Sequence, residues 1–136
     1  MKKIYIENDT QTYWFGMSDY EINLAKINKI IRLIYVSEPP HGDSYHKLYI
    51  GETEFFGYVW GCNFLFPYKQ EYLVCAWFEK TIERKTIIIN LENFKYFVLP
   101  QYYHTFRREN DDIVFENSAS REREKMTLTQ LKSLIK

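Results

Sequence analysis

Apolar residues recur at helical spacing in the segment after Gly16. The recurring positions, separated by four, three, four and three residues, are Tyr20, Leu24, Ile27, Ile31 and Ile34. This spacing places them on one face of a helix. Ahead of them, Ser18 and Glu21 have the spacing of a capping box, in which each side chain bonds the backbone of the other residue. The pattern predicts a helix over residues 19–35.

The second half of this segment also fits a strand. Residues 30–36 are rich in β-branched side chains, which favour extended backbone over helix. Helix and strand therefore both remain open over 30–36. Pro39 and Pro40 end the element in either case, because the residue before a proline is disfavoured in helical conformation.

Short apolar runs separated by turn residues continue from residue 45 to residue 115. The predicted strands are 45–50, 55–60, 63–66, 72–78, 85–91, 96–99 and 113–115. Strands at this spacing are typical of an antiparallel sheet that curls or folds over itself. Three consecutive isoleucines in 85–91 predict a central strand that is covered on both faces.

The two ends of the chain complete the predicted fold. Residues 3–7 and 12–15 fit an N-terminal hairpin. Thr127 and Gln130 give a second capping-box match ahead of a short apolar stripe, which predicts a short C-terminal helix. The expected fold is a single α+β domain over 1–136. It has a curled antiparallel sheet, barrel-like or sandwich, one longer helix in the N-terminal half and a short C-terminal helix.

Aromatic residues are unusually frequent, with 12 Tyr, 10 Phe and 3 Trp in 136 residues. They favour the half-buried surface of a sheet and bury a large area each. We therefore expect the tyrosines and phenylalanines between residues 45 and 115 chiefly to line the interior.

Charge and hydropathy limit the classes of partner. The 18 Lys and Arg residues balance the 18 Asp and Glu residues, so the chain lacks the positive field of a nucleic-acid binder or of a protein that binds anionic membranes. No apolar run has the roughly 20 residues of a membrane span. The apolar run after the basic start is broken too early for a signal peptide, so a cytoplasmic location is expected.

Candidate ligands for a metal are few. His41, Asp43 and His46 form the densest group of reactive side chains, but their spacing matches no recognised zinc site. We predict neither a metal nor another cofactor. Cys62 and Cys75 lie in apolar strand-like runs, where buried thiols are expected rather than a disulfide.

An enzymatic alternative depends on the three histidines. A hydrolase could use His41, His46 or His104 as a general base, provided that a cleft brings a second reacting group close. No nucleophile elbow, phosphate-binding loop or dinucleotide fingerprint accompanies them. The sequence therefore favours a binding protein over an enzyme.

Residues 63–74 resemble the strand–turn–strand hairpin of β-propeller blades. Pro67 of that turn is kept, and Tyr68, Lys69 and Gln70 replace its Asp-Gly. The resemblance implies a hairpin here. It does not extend to a propeller, which needs at least about four blades of roughly 40 residues.

In its small size, expected fold and lack of catalytic motifs, the chain is similar to the small immunity proteins of bacterial toxin systems, including contact-dependent growth inhibition. The resemblance implies a protein-binding inhibitor that occludes the active site of a cognate toxin domain. Candidate contacts, chosen as aromatic and charged residues near predicted loops, are Tyr102, Tyr103, Arg107, Asp111 and Asp112. The alternative is a small-ligand or carbohydrate-binding β-domain with an aromatic-lined pocket. The oligomeric state is left open.

Overall fold

The computed structural model describes residues 1–40, 44–79, 83–117 and 122–135. In chain order its elements are β1 (Lys2–Ile6), β2 (Thr12–Tyr13), β3 (Tyr20–Leu24), β4 (Lys29–Ser37), β5 (Tyr45–Ile50), β6 (Thr53–Trp60), β7 (Phe64–Leu65), α1 (Pro67–Gln70), β8 (Tyr72–Phe78), β9 (Lys85–Asn90), β10 (Tyr96–Val98), β11 (Thr105–Glu109), β12 (Asp112–Asn117), β13 (Glu122–Met126) and α2 (Leu128–Leu134). Strands account for 55% and helices for 9% of the structure, so the protein is mainly β.

Most strands belong to one large curled sheet. Its order runs β1-β3-β4-β5-β6-β8, and β8 also pairs with β9, which pairs with β10. β7 joins β8 to the short β2. The pairs are antiparallel except for β1 and β3. Strands β11, β12 and β13 form a second, antiparallel sheet. Within the described residues the large sheet does not close into a barrel.

Strands β8 and β9 lie at the centre and are covered on both faces. Ile87 and Ile89 pack into the interior of the curled sheet, whereas Ile88 packs against the second sheet. All three isoleucines have 0% exposed surface. Because side chains alternate between the faces of a strand, this requires a continuous apolar run. The central position predicted for 85–91 is confirmed.

The second layer consists of the three-stranded sheet and α2. Phe106 and Phe115 pack inward, together with Leu131 of α2, which has 0% exposed surface. The Thr127 hydroxyl accepts from the Gln130 N–H, and the Gln130 side chain accepts from the Thr127 N–H. The predicted capping box and short terminal helix are confirmed. In the described ranges, no helix has the length and apolar character needed to cross a membrane.

The helix predicted over 19–35 is wrong, and with it the α+β class with a longer N-terminal helix. The segment forms β3 and β4, an antiparallel pair in which Tyr20 lies opposite Leu33. The chain turns between them at Asn28, which has φ +50°. The strand alternative for 30–36 is the one that the structure contains.

Two features made β3 and β4 resemble a helix. Tyr20 and Leu24 both face the core, and their spacing of four residues is twice the strand period as well as one helical turn. β4 also carries an apolar side chain on its outer face at Ile34, which is half-buried and continues the helical spacing from the core residue Ile31. Asp19, within the predicted capping box, instead joins the two strands: its carboxylate accepts from the Tyr35 N–H at 2.8 Å.

The predicted N-terminal hairpin of 3–7 and 12–15 is also wrong. β1 pairs in parallel with β3, and β2 pairs with β7. The buried Gln70 explains the path of the chain, because its side-chain amide donates to the carbonyls of Ile6 and Asn8 at 2.8 and 3.0 Å. These bonds draw the end of β1 toward α1 and away from the chain that follows it.

The other strands predicted between 45 and 115 are present, with ends shifted by at most two residues. The hairpin implied over 63–74 is formed by β7 and β8, which pair antiparallel. β11 and β13 were not predicted. Their outward positions are charged, as at Arg107 and Lys125, so the apolar alternation that marks a strand is weak.

Candidate functional site

Tyr102 and Tyr103, two of the predicted contact residues, lie side by side before β11 and differ in burial. Tyr103 packs in the core between the two sheets, here called the second core, together with Phe106 and Phe115. Its hydroxyl donates to the Glu124 carboxylate at 2.7 Å. Tyr102 is half-buried, and its hydroxyl accepts from Arg84 at 3.2 Å. Of these two tyrosines, Tyr102 alone offers part of its ring to solvent.

Arg107, Asp111 and Asp112 lie on or beside the outer face of the three-stranded sheet. Arg107 forms an ion pair with Glu116 at 3.0 Å, and its hydrogen bond lowers the pKa of the Glu116 carboxyl. Asp112 lies 3.9 Å from Lys125, whereas Asp111 is fully exposed in the turn between β11 and β12. The charges on this face are largely matched within the sheet. The five predicted contact residues do not converge on one surface.

His46 and His104 have different surroundings. His46 is fully buried in β5, and its Nε2–H donates to the Ser18 carbonyl at 3.0 Å, while Nδ1 has no partner among the described residues. Burial lowers the pKa of the His46 imidazole. His104 is exposed, and its Nδ1 contacts the side chain of Asn117.

His41 and Asp43 lie outside the described residues. Within 1–40, 44–79, 83–117 and 122–135, no three His, Cys, Asp or Glu side chains are grouped so as to hold a metal ion. Cys62 and Cys75 are buried and not joined by a disulfide, as the sequence predicted. Burial raises the pKa of the Cys75 thiol well above its usual range, which suppresses its reactivity.

Two aromatic side chains break the general rule of burial. Every tyrosine and phenylalanine between 45 and 115 is buried or half-buried except Phe56 and Tyr96, which are 38% and 45% exposed. Their rings touch, with centroids 5.1 Å apart. They come from β6 and β10, which are distant in sequence. Two exposed rings in contact form an apolar patch, the kind of surface feature that marks interaction sites.

This contact arises because β6 separates from β8 at Gly57. β6 pairs with β8 through Tyr58 and Val59 alone, and Gly57 has φ +77°, a conformation that suits glycine. The indole of Trp77 fills the gap: its Nε1–H donates to the Phe56 carbonyl at 2.9 Å. Trp77 therefore replaces strand pairing at this point and turns the first half of β6 away from β8.

A groove lies between the first half of β6, which forms one wall, and the turn that joins β9 to β10, which forms the other. The Asn90 side-chain oxygen accepts from the N–H groups of Glu92 and Asn93 at 2.8 and 3.3 Å, and the Asn90 carbonyl accepts from the Phe94 N–H at 2.8 Å. Phe94 has φ +64°, a conformation that costs a non-glycine residue about 1 kcal/mol or more. The bonds to Asn90 hold this strained residue in place and so fix its ring in the wall.

The two walls enclose a cavity of about 250 Å³, here named the aromatic groove. Its lining residues are Ile50, Thr53, Glu54, Phe55, Phe56, Phe94 and Tyr96. The main polar group is the Glu54 carboxylate, which accepts from the Tyr49 hydroxyl at 3.1 Å and lies 3.4 Å from the Lys47 ammonium. The groove therefore offers rigid apolar contact surface with a carboxylate at its rim.

A larger cleft, of about 400 Å³, lies between β13 and α2. Its lining residues are Glu124, Lys125, Met126, Thr129, Gln130, Ser133 and Leu134. Most of these side chains are polar, and Glu124 is already bonded to Tyr103. The aromatic groove is smaller, but a larger share of its lining is apolar, which makes it the better candidate for a binding site.

Sequence reasoning did not single out the aromatic groove, although one signal for it was present. Phe55 and Phe56 are adjacent in a strand, so their side chains point to opposite faces and one ring has to leave the interior. Gly57 directly after them marks a break in the strand. The second wall could not be anticipated, because it depends on β6 and β10 meeting in space.

The fold and the groove define a mainly β protein with an apolar groove on its surface. No family model, no curated protein and no solved structure matches the chain.

Proposed function

We propose that this protein is a protein-binding inhibitor that receives an anchoring side chain of its partner in the aromatic groove. The observation that carries the proposal is the contact between Phe56 and Tyr96, the two exposed aromatic rings of the 45–115 region, above a preformed groove. Aromatic residues around desolvated pockets supply much of the binding energy of protein interfaces. A rigid wall, such as the one that holds Phe94, reduces the entropy lost on binding.

The size of the groove favours a side chain over a free small molecule. Its volume of about 250 Å³ is below the roughly 300–1,000 Å³ of typical small-molecule sites. One large apolar side chain fits this space, and the surface around it supplies the rest of the interface. A protein partner uses both features together.

The partner class that fits is a bacterial toxin domain, as the resemblance to immunity proteins implies. An inhibitor of this kind works by covering its partner, so it needs no catalytic group of its own. A standard interface buries about 800 Å² on each partner. The aromatic groove then acts as the centre of a larger contact area.

Co-expression tests this function. The chain is produced in cells together with the protein encoded by the adjacent open reading frame, and growth and co-purification are measured. We expect the unmodified chain to restore growth and to co-purify with that protein. The double variant Phe56→Ser, Tyr96→Ser should lose both effects, because it removes the exposed rings.

Tyr5→Ser is the matched control, since Tyr5 is 73% exposed on β1, away from the groove. It should protect cells as well as the unmodified chain does. Absence of both protection and co-purification with the unmodified chain would contradict the proposed function. Equal protection by the groove variant and the control would contradict the role of the groove.

A carbohydrate ligand is the second candidate, favoured by the exposed ring of Tyr96 beside the hydroxyl of Thr53 and the carboxylate of Glu54. Sugars stack on exposed aromatic rings and bond to such polar groups. Binding of soluble oligosaccharides that is lost in Tyr96→Ser, together with no effect of the chain on the adjacent gene product, would support this candidate over the inhibitor.

A further inference from the structure

The first half of β6 has a strand neighbour on one side alone. On that side it pairs with β5, where Leu48, Tyr49 and Ile50 lie opposite residues of β6. On the other side the pairing with β8 begins only at Tyr58. Among the described residues, no strand pairs with Thr53–Gly57 on that side. This stretch is therefore an open edge inside an otherwise continuous sheet, and it runs along the aromatic groove.

The register shows which backbone groups face the open side. Ile50 and Thr53 flank a two-residue turn that starts with Gly51 at φ +62°, so they form a hydrogen-bonded pair. The next residue, Glu54, then directs its N–H and C=O away from β5. Phe56 has the same orientation, and its carbonyl is indeed the group that accepts from Trp77 on the β8 side.

Two edge strands, β1 and β13, carry the charges by which proteins discourage strand addition. β1 begins with Lys2 and Lys3, and β13 carries Arg123 and Lys125. The open edge of β6 carries a single charged residue, Glu54, and continues with Phe55, Phe56 and Gly57. This edge thus combines backbone groups without a strand partner with the neighbouring aromatic groove, as in sites where a peptide adds to a sheet.

We propose that an extended segment of the partner protein adds as a strand to the open edge of β6 and places one large apolar side chain in the aromatic groove. Its backbone bonds to the N–H and C=O of Glu54. A basic residue of the segment lies near Glu54, which supplies the carboxylate in the lining of the groove. This inference rests on the proposed protein-binding function and names the form that the partner takes.

Peptide selection tests this mode of binding. A phage-displayed library of random peptides of about twelve residues is panned against the unmodified full chain, and dissociation constants of the enriched peptides are measured. Glu54→Pro removes the N–H that faces the groove without removing a bond to β5, and proline is tolerated at such edge positions. Glu54→Ala is the matched control, because it removes the carboxylate but keeps the N–H.

We expect enriched peptides that carry a large apolar residue and bind Glu54→Pro at least about tenfold more weakly than Glu54→Ala. Failure to enrich any peptide, or equal binding to the two variants, overturns strand addition. Neither result bears on protection from the adjacent gene product. If groove variants still abolish that protection, the inhibitor function stands and only its strand mode is lost.

Hydrogen exchange gives a second measurement that does not depend on the folding of Glu54→Pro. In the unmodified chain, the amide of Glu54 should exchange at least about tenfold more slowly once a selected peptide is bound, because the N–H becomes hydrogen-bonded. The amide of Thr53, already paired with β5, should change little. An unchanged exchange rate at Glu54 overturns the proposal.

Discussion

At the scale of single residues, Gly57 connects the fold to the aromatic groove. Its positive φ lets β6 leave β8, and the missing side chain makes room for the indole of Trp77. A Cβ at this position would lie 2.5 Å from Trp77 Nε1 and 2.6 Å from the Phe78 carbonyl oxygen. Backbone atoms cannot move aside as a flexible side chain can, so both space and conformation require glycine.

Gly57→Ala should therefore lower the free energy of unfolding by about 3 kcal/mol, through strain and overpacking together. Gly51→Ala is the matched control. Gly51 also has positive φ, at +62°, but nothing lies within 4 Å of the added Cβ, so the loss should be about 1 kcal/mol. Urea denaturation of the two variants measures the difference. Equal losses would show that Trp77 does not occupy the space beside Gly57.

His46 is the residue whose titration should affect stability most directly. It is fully buried, its Nδ1 has no partner among the described residues, and burial lowers its pKa below the ordinary value of 6.5. In the pH window between that lowered value and 6.5, the unfolded chain binds a proton at this residue and the folded chain does not. Stability must therefore fall as the pH decreases through this window.

This dependence can be measured as the free energy of unfolding at about pH 7.5 and about pH 5.5. The unmodified chain should be less stable at the lower pH. His46→Asn should remove part of that decrease, whatever its effect at neutral pH. An identical decrease in His46→Asn and the unmodified chain would exclude the buried imidazole as its cause.

At the scale of elements, the predictability of each strand from sequence depended on its outer face. β5 alternates buried and half-buried residues and was predicted with the correct ends. In β4 the helical spacing includes Ile31, which faces the core, and Ile34, which lies on the outer face, so apolar residues occur on both faces of the strand. β13 was missed because its outward residues are charged. Alternation of apolar and polar residues does not identify a strand when both faces of the strand are apolar or when its apolar face is short.

The terminal helix α2 was predicted from its cap, yet packing decides its stability. A helix of 7 residues is too short to be stable alone. Leu131, with 0% exposed surface, fixes it to the second core. Leu131→Ala should therefore lower the free energy of unfolding by about 3 kcal/mol.

Leu134→Ala is the control for this substitution, because Leu134 lies in the same helix and is 43% exposed. Its loss should stay below about 1 kcal/mol. Thermal or urea unfolding of both variants gives the comparison. Similar losses would mean that α2 is not docked through Leu131.

For the molecule as a whole, β8 and β9 connect the large sheet to the second layer. Side chains on one face of these strands pack in the core inside the large sheet, and those on the other face pack in the second core. The aromatic excess and the central isoleucine strand could be predicted from sequence, since both follow from local composition. The candidate site could not. Its walls come from β6 and from the β9–β10 turn, and the sequence pattern of neither segment indicates that the two segments meet in space. The predicted contact residue Tyr103, in contrast, proved to be part of the interior.

The affinity of single groove variants for the partner protein shows whether the aromatic groove takes part in binding. Isothermal titration calorimetry of the purified chain against the adjacent gene product gives the dissociation constant. Tyr96→Ala should raise it at least about 30-fold, or about 2 kcal/mol, as expected of an interface anchor. Tyr5→Ala should change it less than about threefold. Equal dissociation constants for these two variants would contradict a role of the groove in binding.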